Sequence, residues 1–415
     1  MNFTNKNPSG WLQGGVSSIF DSSSGNYIAR GLGGKCRDRK GKEYIDFVCG
    51  YGSLVLGHCN LEVNRAVMKQ MNLGMMFPTN SPLHNQLSSE LKNIFPYADR
   101  SLFLKTGSEA VSAAIRLARA FTGKSKIIRC GFLGWHDSVI SPHLSWHLYE
   151  PDVQSPRLVA GVPKTNQDSL SFYWNGEDFA QLKNLFRVNR SEIAAFLLDP
   201  IQIREPIEKN INRVQKLAHD EEALFILDET KTGFRVSLGG VQGLYGLQPD
   251  VTILGKGMSN GFPLSAVIGR REILDWCLEA KIMGTFNSEL LSVAAALKTI
   301  SILRKPSTIP HLWKIGERLI DGINEILNQD GLHDDIQAVA YRWPCMPFIW
   351  FHNNSKRAQV LKPIFYRQLV RSRVLFLSNH MSFTCLAHTA HDVDRTLQII
   401  NDVWKDCLSE KSKNT

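Results

Sequence analysis

Ala223-Leu-Phe-Ile-Leu-Asp228 and Val251-Thr-Ile-Leu254-Gly255-Lys256 are apolar, strand-forming segments that end in a carboxylate and an amine, respectively. Ligands of α/β proteins bind at the carboxyl ends of the strands. We therefore expect Asp228 and Lys256 to face one crevice. Pyridoxal phosphate (PLP) needs such a pair, because an amine forms its Schiff base and an anion keeps its pyridine nitrogen protonated.

Both residues also have a less specific interpretation, because most lysines lie on the surface and aspartate commonly ends a strand. Lys256, however, follows an apolar strand and lies between two glycines. Partial burial there would lower the pKa of its amine and make it nucleophilic. Asp228 ends a strand that we expect to be buried, and a buried carboxylate needs a partner. A pyridinium N–H would supply that partner.

Other residues near predicted strand ends are candidate cofactor contacts. Gly107 permits close approach of the backbone, and Ser108 offers a hydroxyl and an N–H to a phosphate at the start of a predicted helix. An ordinary helix N-cap is the alternative. Phe132 is suited to stacking on a flat ring, or else belongs to the core. No metal site is predicted, because His136 and Asp137 lack a third ligand at a suitable spacing.

Size, charge and cysteine usage narrow the class of protein. The 415 residues, 43% of them hydrophobic, suffice for two domains or for a large α/β domain with a smaller satellite. A net charge of +9 indicates a basic surface or attraction of anionic substrates. The chain lacks basic runs interleaved with aromatics, so nucleic acid is not an expected partner. Without an apolar leader or a Cys-x-x-Cys pair, we expect a cytoplasmic enzyme with reduced thiols and no membrane anchor.

Strands and helices alternate through the centre of the chain, which predicts a mostly parallel sheet. A polar turn at Gly41 predicts an N-terminal hairpin. The predicted domains are an N-terminal segment (1–55) that packs with a small domain, a large PLP-binding domain (56–305) and a smaller α+β domain (306–415). The central strands are predicted at Ser101–Leu104, Lys126–Arg129, Ala194–Asp199, Ala223–Asp228, Val251–Leu254 and Leu264–Gly269, and the helices at Leu61–Leu73, Ser108–Phe121, Asn212–Glu222 and Leu290–Leu303.

The order of these motifs resembles that of the class III aminotransferases, which are PLP enzymes of fold type I. The branch of glutamate-1-semialdehyde aminomutase and its sugar-aminotransferase relatives is the most similar. The resemblance implies a large domain with a mostly parallel seven-stranded sheet between helices. It extends over nearly the whole chain and rests on Gly14-Gly15-Val16, Gly41–Asp46, Leu56–His58, Thr106–Ala110, Gly134–Asp137, Asp228-Glu229, Thr232–Arg235, Leu254–Gly257, Gly284–Phe286 and Ala387–Thr389.

The resemblance implies a role for each matched site residue. Lys256 would form the Schiff base and Asp228 would hold the pyridine nitrogen. Gly107 and Ser108 would bind the phosphate, and Phe132 would stack on the ring. A freed Lys256 would then act as general base and acid.

Other positions bear on the substrate pocket and on assembly. Thr230 stands where a valine commonly packs under the ring, Leu133 where a histidine commonly follows the stacking aromatic, and Asp199-Pro200 where Glu-Pro is common. These departures argue against assigning the aminomutase reaction by default. Gly284 and Thr285 match a segment that reaches the phosphate of the neighbouring subunit, which implies a homodimer with shared active sites.

By this resemblance, we expect an aminotransferase that takes nitrogen from an amino-acid donor, with glutamate as the expected one, and passes it to an aldehyde or ketone. The positive net charge favours an anionic acceptor, such as an acidic deoxysugar of the 8-oxo octulosonate type. An intramolecular aminomutase of the glutamate-1-semialdehyde type is the alternative, because both reactions use the same residues. A catalytically silent cofactor-binding protein is a third hypothesis, which an intact Lys256 and Asp228 disfavour.

Overall fold

The computed structural model describes residues 28–139, 161, 168–174, 179–203, 206–378 and 380–412. The Gly14-Gly15-Val16 motif lies outside these residues. Two compact units are formed within the chain. One consists of the described residues up to Asn60 together with those from Pro310 onward, and the other consists of the described residues between Leu61 and Ile309.

The strands are β1 (Ile28–Leu32), β2 (Lys35–Asp38), β3 (Glu43–Asp46), β4 (Arg100–Leu104), β5 (Lys126–Cys130), β6 (Ser169–Ser171), β7 (Ile193–Leu198), β8 (Leu224–Asp228), β9 (Val251–Leu254), β10 (Ser265–Gly269), β11 (Ile336–Ala340), β12 (Pro347–Phe351) and β13 (Val374–Leu375). The helices are α1 (Cys49–Gly52), α2 (Leu61–Leu73), α3 (Pro82–Ile94), α4 (Gly107–Thr122), α5 (Ala180–Val188), α6 (Ile207–Asp220), α7 (Gly240–Tyr245), α8 (Arg271–Leu274), α9 (Leu290–Leu303), α10 (Thr308–Gln329), α11 (Lys356–Arg371) and α12 (Ala390–Ser412). Short 3-10 helices lie at Pro200–Gln202, Lys256–Ser259 and Asp275–Cys277.

A seven-stranded sheet forms the centre of the unit between Leu61 and Ile309. Its strands lie in the order β4-β10-β9-β8-β7-β5-β6. Strand β10 runs antiparallel to both of its neighbours, and every other adjacent pair is parallel. The predicted α/β class with a mostly parallel seven-stranded sheet is confirmed. Strands β7 and β8 are buried along their whole length, which explains why their sequences are apolar up to Asp228 at the end of β8.

The bounds of the elements differ from the prediction in two informative places. Strand β6 was not predicted, because Ser169–Ser171 contains only one apolar residue. Helix α6 begins at Ile207 rather than at the predicted Asn212. Both Ile207 and Ile211 are buried, so the apolar face of the helix extends one turn further than the prediction allowed.

The other unit contains two smaller sheets. Strands β1, β2, β3 and β13 form one, and β11 pairs with β12 in the other. The predicted N-terminal hairpin is confirmed as the antiparallel pair β2–β3. The core of this unit includes Phe365 and Trp404, whose rings stack with centroids 4.2 Å apart.

No helix of the described residues is both long enough and apolar enough to cross a bilayer. No disulfide joins any two of the eight cysteines, all of which the structure describes. Most of these cysteines are buried, where a thiol packs as a small apolar group.

Candidate active site

The adjacent parallel strands β8 and β9 bring Asp228 and Lys256 to the same edge of the sheet. Asp228 is the last residue of β8 and pairs with Ile253 in β9. The next N–H, that of Glu229, donates to the carbonyl of Ile253 at 2.9 Å. Lys256 follows shortly after β9, at the start of the 3-10 helix Lys256–Ser259. Its φ of 41° lies in the left-handed region, which is uncommon for a residue other than glycine and is concentrated at functional sites.

Thr230 lies where three loops converge. Its N–H donates to Oδ1 of Asp228 at 2.9 Å. A Cβ added to Gly107 or to Gly255 would lie 3.3 Å from Cγ2 of Thr230. The two glycines thus let the start of α4 and the residue before Lys256 approach the same side chain. The structure therefore brings together the predicted phosphate loop, Thr230, Asp228 and Lys256.

Burial changes the pKa of both central groups. It raises the pKa of Asp228 to about 6, assisted by the negative charge of Asp199 and opposed by hydrogen bonds from Thr230. Burial likewise lowers the pKa of Lys256 to about 8, assisted by the positive charge of Lys231 and opposed by Asp228 and Asp199. Roughly a tenth of the Lys256 amine is then unprotonated at pH 7, against less than a thousandth for an ordinary lysine. An amine of this kind is suited to nucleophilic attack and to proton transfer.

Helix α4 begins next to this cluster. Thr106 and Glu109 form a reciprocal capping box: Oγ1 of Thr106 accepts from the N–H of Glu109, and Oε2 of Glu109 accepts from the N–H of Thr106. Gly107 and Ser108 are the first two residues of the helix, and N–H groups in a first helical turn have no acceptor within the helix. They are available to an anion, which the helix dipole also favours.

Ser108 connects α4 to the loop that follows β5. Its side chain is buried, and its Oγ accepts from the N–H of Trp135 at 3.3 Å. A Cβ added to Gly134 would lie 2.6 Å from that Oγ, and the φ of Gly134 is 98°. Gly134 therefore has both a conformational and a steric reason to be glycine.

We expect Gly134→Ala to weaken PLP binding at least tenfold, because the new methyl group would displace Ser108. Gly123→Ala is a matched control. Gly123 also has a positive φ, of 68°, but an added Cβ there would meet no atom within 4 Å. The control should lose some stability and keep the affinity of the parent protein. Fluorescence titration of the apoproteins with PLP measures both affinities, and equal affinities would contradict the proposed position of Ser108.

Phe132 is half-buried, and its ring faces a second lysine that the sequence analysis did not single out. Nζ of Lys231 lies 5.4 Å from the centroid of that ring. The same Nζ forms a buried ion pair with Oδ2 of Asp199 at 2.5 Å. The sequence offered one signal for Lys231, namely a charged residue soon after a strand that is apolar up to its last residue, Asp228.

Glu229 is a further buried carboxylate, but its partners give it a structural role. It accepts hydrogen bonds from the N–H groups of Val241 and Gln242 at the start of α7, at 3.0 and 2.9 Å, and from the hydroxyl of Thr232. Burial raises its pKa to about 7, opposed chiefly by the hydrogen bond from Thr232.

Thr285, which the sequence analysis assigned to the phosphate of a neighbouring subunit, lies on an exposed turn before α9.

The residues of this cluster fit PLP. A buried carboxylate suits a protonated pyridine nitrogen, a half-buried amine suits an aldehyde, and the first turn of α4 suits a phosphate. Gly107 and Gly255 have no side chain, and a Cβ added to either residue would narrow the space next to Thr230.

Comparison with known proteins gives a consistent result. Residues 20–341 match the family "Aminotransferase class-III". The chain is 30% identical over 407 residues to 3-aminobutyryl-CoA aminotransferase of Cloacimonas acidaminovorans, covering 94% of this chain and 93% of the relative. It is 32% identical over 409 residues to glutamate-1-semialdehyde 2,1-aminomutase of Archaeoglobus fulgidus (94% and 96%). It is also 32% identical over 306 residues to 2'-deamino-2'-hydroxyneamine transaminase of Streptomyces kanamyceticus (74% of each).

The fold is also that of solved transaminases. An omega-transaminase from Sphaerobacter thermophilus superposes with a TM-score of 0.82 at 23% identity, over 92% of this chain and 91% of the other. At this identity the likeness concerns the fold.

Proposed function

The chain belongs to the class III aminotransferases, which are PLP-dependent enzymes, and from this membership we propose that it transfers an amino group from glutamate to an aldehyde or ketone on an anionic sugar. The observation that carries the proposal is the convergence of Lys256 and Asp228 at the ends of adjacent strands, with the pKa of the amine lowered to about 8. PLP, when bound, supplies the electron sink that allows the substrate Cα–H bond to break.

The side chains divide the work of this reaction. Lys256 would hold the cofactor through its Nζ and, once freed, would carry a proton from the substrate Cα to C4′ of the cofactor in the first half of the cycle and in the reverse direction in the second half. Asp228 would accept a hydrogen bond from the pyridine N–H and keep that nitrogen protonated. Gly107 and Ser108 would bind the phosphate, and Phe132 and Thr230 would contact the ring.

One observation supports a sugar acceptor, and a second supports a negative charge on the acceptor. One of the relatives is named as a transaminase of 2'-deamino-2'-hydroxyneamine. The chain itself carries a net charge of +9, which attracts anions. An acidic deoxysugar with a terminal aldehyde, such as an 8-oxo octulosonate, satisfies both observations.

The aminomutase reaction is a second candidate, because an aminomutase is 32% identical to this chain over 409 residues. The two reactions differ in whether nitrogen leaves the enzyme with a separate product. Glutamate added to the PLP-loaded enzyme without an acceptor should release one 2-oxoglutarate per active site. The aminated enzyme should then transfer that nitrogen to an 8-oxo octulosonate faster than to a neutral ketone. An enzyme that releases no oxoacid, yet moves the nitrogen of glutamate-1-semialdehyde from C2 to C1, would overturn the aminotransferase proposal.

We further propose that two copies of the chain share their active sites, as the match of Gly284 and Thr285 implies. The turn that carries Thr285 also carries strongly exposed apolar side chains, with Met283 and Phe286 77% and 62% exposed. An adjacent loop adds Met75, whose carbonyl accepts from the N–H of Leu290 at 2.9 Å, and the exposed Phe77. Exposed apolar side chains from two neighbouring segments are typical of a surface that another protein covers.

Subunit mixing tests the shared site. Lys256→Ala and Thr285→Trp should each be inactive as homodimers. In a mixed dimer, one site receives an intact Lys256 from the Thr285→Trp chain and an intact Thr285 from the Lys256→Ala chain, so up to half of the sites in mixed dimers should work. The double variant mixed with itself is the control and should stay inactive. Mixed dimers that form by native mass spectrometry, with a folded Thr285→Trp chain, but regain no activity would refute sharing.

A further inference from the structure

Lys231 and Asp199 form a buried ion pair beside the proposed reaction centre. Their side chains are only 8% and 2% exposed. Asp199 directly follows β7, and Lys231 lies three residues beyond the end of β8. A buried ion pair seldom adds net stability compared with well-packed apolar residues. A pair placed at the ligand-binding edge of the sheet therefore calls for a functional explanation.

The position of the positive charge is fixed from several sides. Oδ1 of Asp199 accepts from the N–H of Ile201 at 3.3 Å, so one oxygen caps a 3-10 helix while the other holds Lys231. The Cα of Gly131 packs against this carboxylate residue, since a Cβ there would lie 2.7 Å from Cβ of Asp199. On the other side, Nζ of Lys231 faces the ring of Phe132. The ammonium group is thus held between a carboxylate and an aromatic ring.

Four charged groups act on the nitrogen of Lys256 from the surrounding elements. Lys231 and Arg235 disfavour a positive charge there, whereas Asp228 and Asp199 favour one. Lys231 and Lys256 follow the adjacent parallel strands β8 and β9 and lie at the same end of the sheet. The fifth nearby charge, that of Glu229, is directed to the start of α7.

We propose that Lys231, fixed by Asp199, is a positioning residue for Lys256: its charge increases the unprotonated fraction of the Lys256 nitrogen at neutral pH and thereby sets the acid limit of the enzyme's working range. The inference rests on the proposed role of Lys256. It concerns the nitrogen both as a free amine and when bonded to the cofactor, because a fixed neighbouring cation disfavours a second positive charge in either case.

Three variants test this role. Lys231→Gln removes the positive charge, Lys231→Arg keeps it, and Asp199→Asn combined with Lys231→Gln removes both charges. Two readouts are measured on each PLP-loaded protein: the pH midpoint of its visible absorption and the acidic limb of kcat/KM against pH. Removing the cation stabilises the protonated form, so both values should rise by at least one pH unit in Lys231→Gln, which is a tenfold change in the protonation equilibrium. Lys231→Arg should match the parent protein.

The double variant should show a smaller rise than Lys231→Gln, because Asp199, which acts in the opposite direction, is also neutralised. If Lys231→Gln folds and keeps both the midpoint and the acidic limb of the parent protein, the inference is wrong, and the ion pair has only a structural role. Should Lys231→Gln fail to fold, the double variant is compared with Asp199→Asn alone, because these two proteins differ only in the charge of Lys231. The midpoint should be higher in the double variant, and equal midpoints overturn the inference. Failure of this inference can be told apart from failure of the proposed role of Lys256. In the second case, the covalent attachment of PLP would persist in Lys256→Ala.

Discussion

Lys256→Ala should yield a folded protein that binds PLP without a covalent bond and loses nearly all turnover. A single side chain is proposed to provide both the attachment point and the proton carrier, so its removal affects every step at the substrate Cα. Loss of the acid–base function alone corresponds to as much as 10⁴-fold, or about 5.5 kcal/mol of transition-state stabilisation. Borohydride reduction followed by mass spectrometry measures the attachment, because only a covalently held cofactor remains on the denatured chain.

Lys126→Ala is a suitable control for that experiment. Lys126 is the first residue of β5. It therefore lies at the amino ends of the parallel strands, whereas Asp228 and Lys256 lie at or just after the carboxyl ends. It contacts Asn189 and Glu192 there, at 2.9 and 2.8 Å. This variant should keep both the reduced adduct and the activity. If Lys256→Ala retained the adduct instead, the bond to PLP would involve another lysine, and Lys231 would be the first to examine.

The sequence predicted the paired strand ends well, because their apolar runs are interrupted sharply. Strands β8 and β9 have no polar residue before Asp228 and Gly255 except Thr252, so periodicity and chemistry agreed on where each strand ends. The placement of β10 between β4 and β9 could not be read in the same way. Hydrophobic pattern identifies a strand that is buried on both faces, but not the partners with which it pairs.

Contacts between distant segments account for what the sequence analysis missed at the site. Asp199 was recognised only as a departure from the family pattern, and Lys231 was not singled out. Their pairing depends on β7 and β8 being neighbours with Ala195 opposite Leu224, which is a property of the tertiary structure. Glu229 likewise gained its structural role only once α7 was placed against it.

Asp228→Asn should lower the rate of the first half-reaction with glutamate by at least about a hundredfold, which corresponds to about 3 kcal/mol. The substitution keeps the shape of the side chain, and Oδ1 of asparagine can still accept from the N–H of Thr230. It removes the negative charge that would hold the pyridine nitrogen protonated. With a pKa of about 6 in the free chain, Asp228 is mostly ionised at neutral pH, so the parent protein has this charge available.

Glu229→Gln distinguishes an effect of Asp228 from a general effect of removing a buried carboxylate. Glu229 adjoins Asp228 in the chain and is fully buried, but its oxygens bind the start of α7 and Thr232. We expect Glu229→Gln to lower the midpoint of thermal unfolding and to leave the half-reaction within about tenfold of the parent rate, or about 1.4 kcal/mol. Stopped-flow absorbance under single-turnover conditions compares the two variants directly. Equal losses in both would mean that neither charge acts on the cofactor, whereas a slow Asp228→Asn beside a nearly normal Glu229→Gln assigns the catalytic anion to the end of β8.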